Sequence, residues 1–256
     1  MALTSKRAAF FDVDNTLIRG STIYFLGRGM YQRGYFTKKD ISRFVLANLR
    51  FRLTGKENKE EIQRFQDAAT DFIGGHNVKD IEAIAQEIYD EYVSPAMWQG
   101  TIDIAQALVA EGVEVYLVTA APEDMAVLIA QRLGLTGALG SKAEISDGTY
   151  TGRMNGPLLH GREKAIAVTE LAEVKGFDLN ECLAFSDSNN DLPLLLCVGH
   201  PSAINPDALL GLRAMAEGWP IHDFRKARFI GRAISPIVVR LAALGTWLTP
   251  RKRRGN

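Results

Sequence analysis

Cysteine is nearly absent: the 256 residues hold two, Cys182 and Cys197. Two thiols cannot build a disulfide scaffold, and their spacing matches no zinc-binding pattern. Both lie in apolar runs, where they read as buried structural thiols. Long apolar runs are scarce too. Only Ala8, Ala9, Phe10 and Phe11 separate Arg7 from Asp12. That is too short for a secretory core, so the sequence predicts no signal peptide and a cytoplasmic location. One longer stretch, 233–249, spans 17 residues but contains Pro236 and Arg240, which makes it marginal as a bilayer span. No internal repeat or low-complexity segment is present. Wholesale disorder is excluded by composition, with 46% hydrophobic and 23% charged residues, the balance of an ordinary globular protein.

Net charge is also lacking, with 30 Lys and Arg against 30 Asp and Glu. The zero conceals three zones. Residues 1–59 carry 12 basic and 4 acidic side chains, residues 60–224 carry 9 and 26, and residues 225–256 carry 9 and none. An evenly neutral globule is therefore ruled out.

What is present is an alternation of short apolar segments with helical patterns. A buried strand is predicted over 8–13, stopping at Asp12. Between 21 and 95 helices are predicted at 21–33, 38–53, 58–73 and 78–93, separated by glycines. After Pro95 come a helix over 101–111, a strand over 113–119, and a helix that Pro122 opens and that ends near Gly134. Asp147-Gly148 between strand-like flanks signals a hairpin. A helix over 162–175, a strand over 182–185, a short helix over 191–198 and a strand over 203–205 follow. This order predicts an α/β fold with a parallel sheet covered on both faces.

Four features carry chemistry. Asp12-Val13-Asp14-Asn15-Thr16 closes the first strand, and ligands of open α/β sheets bind at strand carboxyl ends. The chain is expected to turn at the end of the strand, so that both carboxylates reach one site. Two nearby carboxylates repel unless a cation or shared proton relieves them, which points to a divalent metal. A calcium loop fails, because the positions that need Gly and Glu hold Leu17 and Ile23. A solvated pair of Asp at a strand end is the plainer alternative. Ser186-Asp187-Ser188-Asn189-Asn190-Asp191 again follows a short strand, although helix capping accounts for part of it. Thr119, before Ala120-Ala121-Pro122, suits an oxyanion site or a routine cap. Lys164, one turn into a helix, would by itself be a solvated charge.

In this order the four features resemble the haloacid dehalogenase superfamily of phosphotransferases. The helical insert and the hairpin before Lys164 are similar to the branch that contains phosphoserine phosphatases. The resemblance implies a Rossmann-like parallel-sheet core formed by 1–20 and 96–224, an inserted all-α cap at 21–95, and a basic, apolar tail at 225–256. It implies that Asp12 is a nucleophile forming an aspartyl-phosphate, and that Asp14 is the general acid and then the general base. Mg²⁺ would be held by Asp12, the Asp14 backbone carbonyl and Asp187. Thr119, Lys164 and Asn190 would bind the phosphoryl group. Asp191 would hold Lys164 or a metal-bound water, and Thr16 would fix the nucleophile loop.

The sequence departs from the phosphoserine phosphatase pattern. That pattern has a Glu soon after the first motif to meet the substrate ammonium, whereas here Arg19, Gly20 and Ser21 stand and no acid follows until Asp40. The expected substrate is therefore a small phosphorylated metabolite or an amphiphilic phosphoester other than phosphoserine. Nine Lys and Arg and seven aromatics interleave over 21–59. They form either the packing and wet faces of ordinary helices or a basic, apolar surface for a larger substrate. No nucleic-acid fold is recognisable. The tail suits a helix on an anionic membrane surface, a helix docked on the core, or a disordered basic end. Alternatives to a hydrolase are a phosphotransferase or mutase of the same fold, and a non-catalytic, membrane-docked phospho-Asp switch.

Overall fold

The computed structural model describes residues 6–35 and 73–225, with Thr37, Ser42 and Leu46 between them. The helices predicted over 38–53 and 58–73, most of the basic and aromatic stretch, and the tail beyond Arg225 lie outside the described residues. The chain divides into two compact units, Met1–His222 and Asp223–Asn256. The account below concerns the first.

Its frame is a six-stranded sheet of β1 (Ala8–Phe11), β2 (Glu114–Pro122), β3 (Gly137–Ser141), β6 (Leu183–Ser186), β7 (His200–Ile204) and β8 (Ile221–His222). The spatial order is β3-β2-β1-β6-β7-β8, and every neighbouring pair is parallel. The chain first builds outward from β1 through β2 to β3, then restarts on the other side of β1 with β6. The order thus reverses between β1 and β6, which opens a crevice at their carboxyl ends. Register sharpens this placement. Phe11 pairs with Leu117 on one side and with Phe185 on the other. Asp12 therefore leaves the sheet beside Ser186, one residue short of the level of Thr119, which lies inside β2.

The strands are apolar on both faces because both are covered. On one face Ala8, Phe10, Val118 and Ala184 join Val168 and Ala172 of α5 (Arg162–Lys175) and Leu194 and Leu195 of α6 (Leu192–Leu196) in one core. On the other, Phe11 stacks on Phe185 with centroids 4.2 Å apart. Ile102 and Ala105 of α3 (Gln99–Ala110) are buried as well. The second sheet is the hairpin of β4 (Ala143–Ser146) and β5 (Thr149–Met154). Asp147 and Gly148 both take positive φ, 49° and 74°, the backbone that a tight two-residue hairpin turn requires.

The helical insert is described at its two ends, α1 (Thr22–Gln32) and α2 (Val78–Ile88). They approach so closely that a Cβ on Gly29 would come within 2.4 Å of the Ile88 side chain. The helix predicted to 93 changes character after Ile88: Tyr89–Val93 is a π-helical turn and Ser94–Ala96 a 3₁₀ turn. Pro122 does not open its helix as expected. It ends β2, with φ −54° and ψ 134°, and α4 starts at Glu123 and runs to Arg132. Proline fixes φ alone, and here ψ is set by pairing with Ser141. Strand β3 was not anticipated, because Gly137-Ala-Leu-Gly-Ser has little β-branched character and is a strand through its pairing with β2. Nor was α7 (Ala208–Glu217).

Close approach of β3 to the chain that follows Thr119 depends on Gly140. A Cβ there would lie 2.5 Å from Glu123 Cα and 2.8 Å from its nitrogen, both backbone atoms. Gly140→Ala is expected to lower stability by about 3 kcal/mol through overpacking. Gly134→Ala, at φ 67° with open space around it, is expected to cost about 1–2 kcal/mol. Urea unfolding of both variants checks the order.

Candidate active site

The first motif leaves β1 without leaving the sheet at once. Asp12 N–H donates to Phe185 O at 2.9 Å, so the carboxylate is fixed by the β1–β6 ladder. The chain then turns sharply. Leu17 and Ile18 both donate to Val13 O, at 2.9 and 3.0 Å, and Asn15 adopts φ 60°, a left-handed conformation that Asn tolerates. This turn brings Thr16 back onto Asp12.

Both oxygens of the buried Asp12 carboxylate are held. Thr16 Oγ1 donates to Oδ2 at 2.9 Å, and Lys164 Nζ donates to Oδ1 at 2.5 Å. Lys164 also donates to Asp191 Oδ2 at 2.7 Å, where Ser186 Oγ donates at 2.7 Å. Lys164 and Asp191 are each 3% exposed, so neither behaves as a surface charge. Asp187 is half-buried and close enough to be affected by the charges of Asp12 and Asp191. Thr119, 2% exposed, accepts from Ala121 N–H at 3.1 Å through Oγ1. Asn190 is exposed, and its N–H donates to Ser188 Oγ at 3.2 Å. Asp14 is half-buried and turned to α1: its Oδ1 accepts from Thr22 N–H at 2.9 Å and Thr22 Oγ1 at 2.6 Å.

The structure thus joins Asp12, Thr16, Lys164 and Asp191 by direct hydrogen bonds, with Ser186 as a fifth member. It leaves Thr119, Asn190 and Asp14 bonded to other groups. Three carboxylates, Asp12, Asp187 and Asp191, face one ammonium, which leaves two negative charges uncompensated when all are ionised. The titration behaviour follows. Burial pushes the Asp12 carboxyl up to about 7 against the opposing pull of Lys164. Burial, then the charges of Asp12 and Asp191, pushes Asp187 up to about 8. Burial alone would lower Lys164, but Asp12 and Asp191 raise it above its ordinary value. Such carboxylates hold protons or a cation.

Hard oxygen donors suit a divalent cation such as Mg²⁺. Among the described residues no three His, Cys, Asp or Glu side chains form a ready cage. A set of two carboxylates and one backbone carbonyl does not need one. Asp12 and Asp187, both desolvated and raised, fit that donor set.

Several supporting residues escaped sequence reasoning. Asp207 caps α7 by accepting from Leu210 N–H at 2.8 Å, while its other oxygen accepts from Asn189 N–H at 2.8 Å. Its own N–H donates to Asp187 O at 2.7 Å. Pro206-Asp207 before an apolar helix is a readable cap signal, but its grip on the 187–189 loop is not. Asn205, 4% exposed, donates from Nδ2 to Asn15 O at 3.3 Å and ties the first motif to β7. Ser141 Oγ donates to Ala120 O at 2.9 Å and accepts from Leu159 N–H at 3.0 Å, linking the Thr119 loop to the approach to α5. Nothing in the sequence marks these last two.

The family model of haloacid dehalogenase-like hydrolases matches residues 9–196, from β1 into α6. Phosphoserine phosphatase SerB1 of Mycobacterium tuberculosis (strain ATCC 25618 / H37Rv) is 47% identical over 238 residues, 93% of this chain and 77% of that protein. A solved protein with unknown function from Bordetella pertussis Tohama I is 26% identical with a TM-score of 0.77, over 86% of this chain and all (100%) of that one. A phospho-aspartyl intermediate analogue of phosphoserine phosphatase superposes with a TM-score of 0.59 over 87% and 97% of the two chains. At 21% identity it speaks to the fold. Fold alone does not decide chemistry, but here the family match and the clustered strand-end carboxylates and lysine agree. This chain therefore belongs to the haloacid dehalogenase-like hydrolase family and is a phosphatase, a phosphoric monoester hydrolase of the phosphoserine phosphatase-like kind.

Proposed function

We propose that the protein is a Mg²⁺-dependent phosphatase of small phosphomonoesters that works through an aspartyl-phosphate on Asp12. The observation that carries this reading is the Lys164 ammonium lodged between Asp12 and Asp191. It pulls the nucleophile toward its ionised form against the effect of burial, and it is the cation that would meet the phosphoryl oxygens. A carboxylate oxygen of Asp12 attacks phosphorus, the bond from phosphorus to the leaving oxygen breaks, and the departing alcohol takes a proton from Asp14. Water then attacks the aspartyl-phosphate, gives its proton to Asp14, and restores Asp12 as phosphate leaves. Thr119, Lys164 and Asn190 bind the phosphoryl oxygens, Asp191 orients Lys164, and Thr16 holds the nucleophile loop. Asp12, the Asp14 carbonyl and Asp187 would hold Mg²⁺, which would neutralise charge on the phosphoryl group.

The loop between the motif and α1 supports a reading of the substrate. Arg19 is exposed there, its guanidinium 5.9 Å from the Trp98 ring centre, and its N–H donates to Ala96 O at 2.7 Å. A cation in this loop, with no acidic partner among the described residues, disfavours a substrate ammonium, so the leaving group we propose is a small or amphiphilic alcohol without one. We further place the substrate-selecting cap at 21–95, the core at 1–20 and 96–224, and a peripheral contact of the 225–256 tail with anionic membrane. The location proposed is cytoplasmic. No helix among the described residues is long and apolar enough to cross a membrane.

Asp12→Asn is expected to lower turnover of p-nitrophenyl phosphate with Mg²⁺ by at least about a thousandfold, with circular dichroism unchanged. Full activity in this variant would overturn the nucleophile assignment. A panel that includes phosphoserine, neutral alkyl phosphates and lysophospholipids tests the leaving group.

Mg²⁺ binding is expected to depend on pH with a definite sign. The metal takes the deprotonated carboxylates, and Asp187 and Asp12 are raised to about 8 and about 7. Affinity should therefore weaken as pH falls through that range, by roughly tenfold per unit for each linked proton. Calorimetry in two buffers of different ionisation enthalpy should show proton release at acidic pH that disappears at alkaline pH.

A further inference from the structure

We infer that Thr22 is a positioning residue for Asp14, holding the acid–base carboxylate from the first turn of α1 so that leaving-group protonation depends on that helix. This rests on the acid–base role proposed above for Asp14. Thr22 is fully buried (0% exposed), and both of its donors, N–H at 2.9 Å and Oγ1 at 2.6 Å, end on Asp14 Oδ1. Within the described residues no hydrogen bond ends on Oδ2, which leaves that oxygen to carry the transferred proton.

The arrangement exceeds what helix capping needs. Ser21, the residue before α1, makes no side-chain cap bond, and Asp14 takes its place from seven residues earlier. A cap requires one acceptor for one orphan N–H. Here the hydroxyl adds a second, shorter bond to the same oxygen, which fixes the carboxylate about its terminal torsion.

The intervening loop is built to bring these residues together. Asn15 N–H donates to Gly20 O and Gly20 N–H to Asn15 Oδ1, both at 3.2 Å. Gly20 adopts φ 112°, and a Cβ there would touch the Phe25 ring at 3.4 Å. Residues 15–20 thus close on themselves and return the chain to Asp14 as α1 begins. A general acid must present its proton within hydrogen-bond reach of the leaving oxygen, and a group fixed at one oxygen has the other in a defined place.

The test is the dependence of kcat/KM on the leaving group across aryl and alkyl phosphates, with Mg²⁺. p-Nitrophenolate departs without protonation, whereas an alkoxide does not. Thr22→Val is expected to lower kcat/KM for alkyl phosphates about ten- to a hundredfold more than for p-nitrophenyl phosphate, and Thr22→Ser should restore most of it. Asp14→Asn is the reference and should show the same selectivity more strongly. Equal losses on both substrates for Thr22→Val, or none, with selective loss in Asp14→Asn, would reduce Thr22 to a structural role. Absence of selectivity in Asp14→Asn itself would overturn the acid–base reading and this inference together. Should Thr22→Val fail to fold, the contrast between Thr22→Ala and Thr22→Ser gives the same comparison.

Discussion

A single buried ammonium organises the carboxyl end of the sheet around β1 and β6. Lys164 reaches from the first turn of α5 to Asp12 beyond β1 and to Asp191 beyond β6. Buried ion pairs are weak sources of net stability, since desolvation offsets most of their attraction, but breaking one strands an uncompensated charge. The fold therefore has to hold these groups in register, and much of the structure near the crevice does that work. Parallel pairing of β1 with β6 sets Asp12 beside Ser186, and Ser186 in turn holds Asp191. Asp207 and Asn205, from the far side of β6, fix the two loops that carry the acids. The remaining negative charge is of the sign that attracts a divalent cation.

The described ends of the helical insert are tied down at two places. Near the motif, Arg19 N–H donates to Ala96 O and Trp98 N–H to Leu17 O at 2.7 and 2.9 Å, so entry to and exit from the helical insert run side by side. At the hairpin, Gly75 donates to Tyr150 O, Tyr150 to His76 O, and Val78 to Gly148 O. The buried Tyr150 hydroxyl also donates to Asp124 at 2.6 Å. The start of α2 is thus an extension of the β4–β5 hairpin. Among the described residues of the basic stretch, Arg33 pairs with Glu87 and Glu91, and Arg28 lies over Tyr92. These two arginines serve helix packing, the plainer of the two roles open to them.

Much of the fold was legible. Short apolar segments ending in polar clusters gave β1, β2, β6 and β7, and Asp147-Gly148 gave the hairpin, because turn chemistry and burial act locally. Strand β3 was illegible for the opposite reason: its residues have no strand preference that its neighbour does not supply. Pro122 misled because a fixed φ serves a helix start and an extended strand end equally well.

The candidate site divides along the same line. Residue types and their order raised the expectation that two strand-end acid motifs, a threonine and a lysine serve one phosphoryl-transfer chemistry; the structure joins Asp12, Lys164 and Asp191 by hydrogen bonds and leaves Thr119 bonded to Ala121. Which oxygen of Asp12 meets Lys164, that Ser186 steadies Asp191, and that Thr22 grips Asp14 were decided only by the tertiary structure. Those facts depend on sheet register and on loops that return the chain to a point 5, 8 or 152 residues away. Sequence spacing carries no distance until the backbone between the residues has closed.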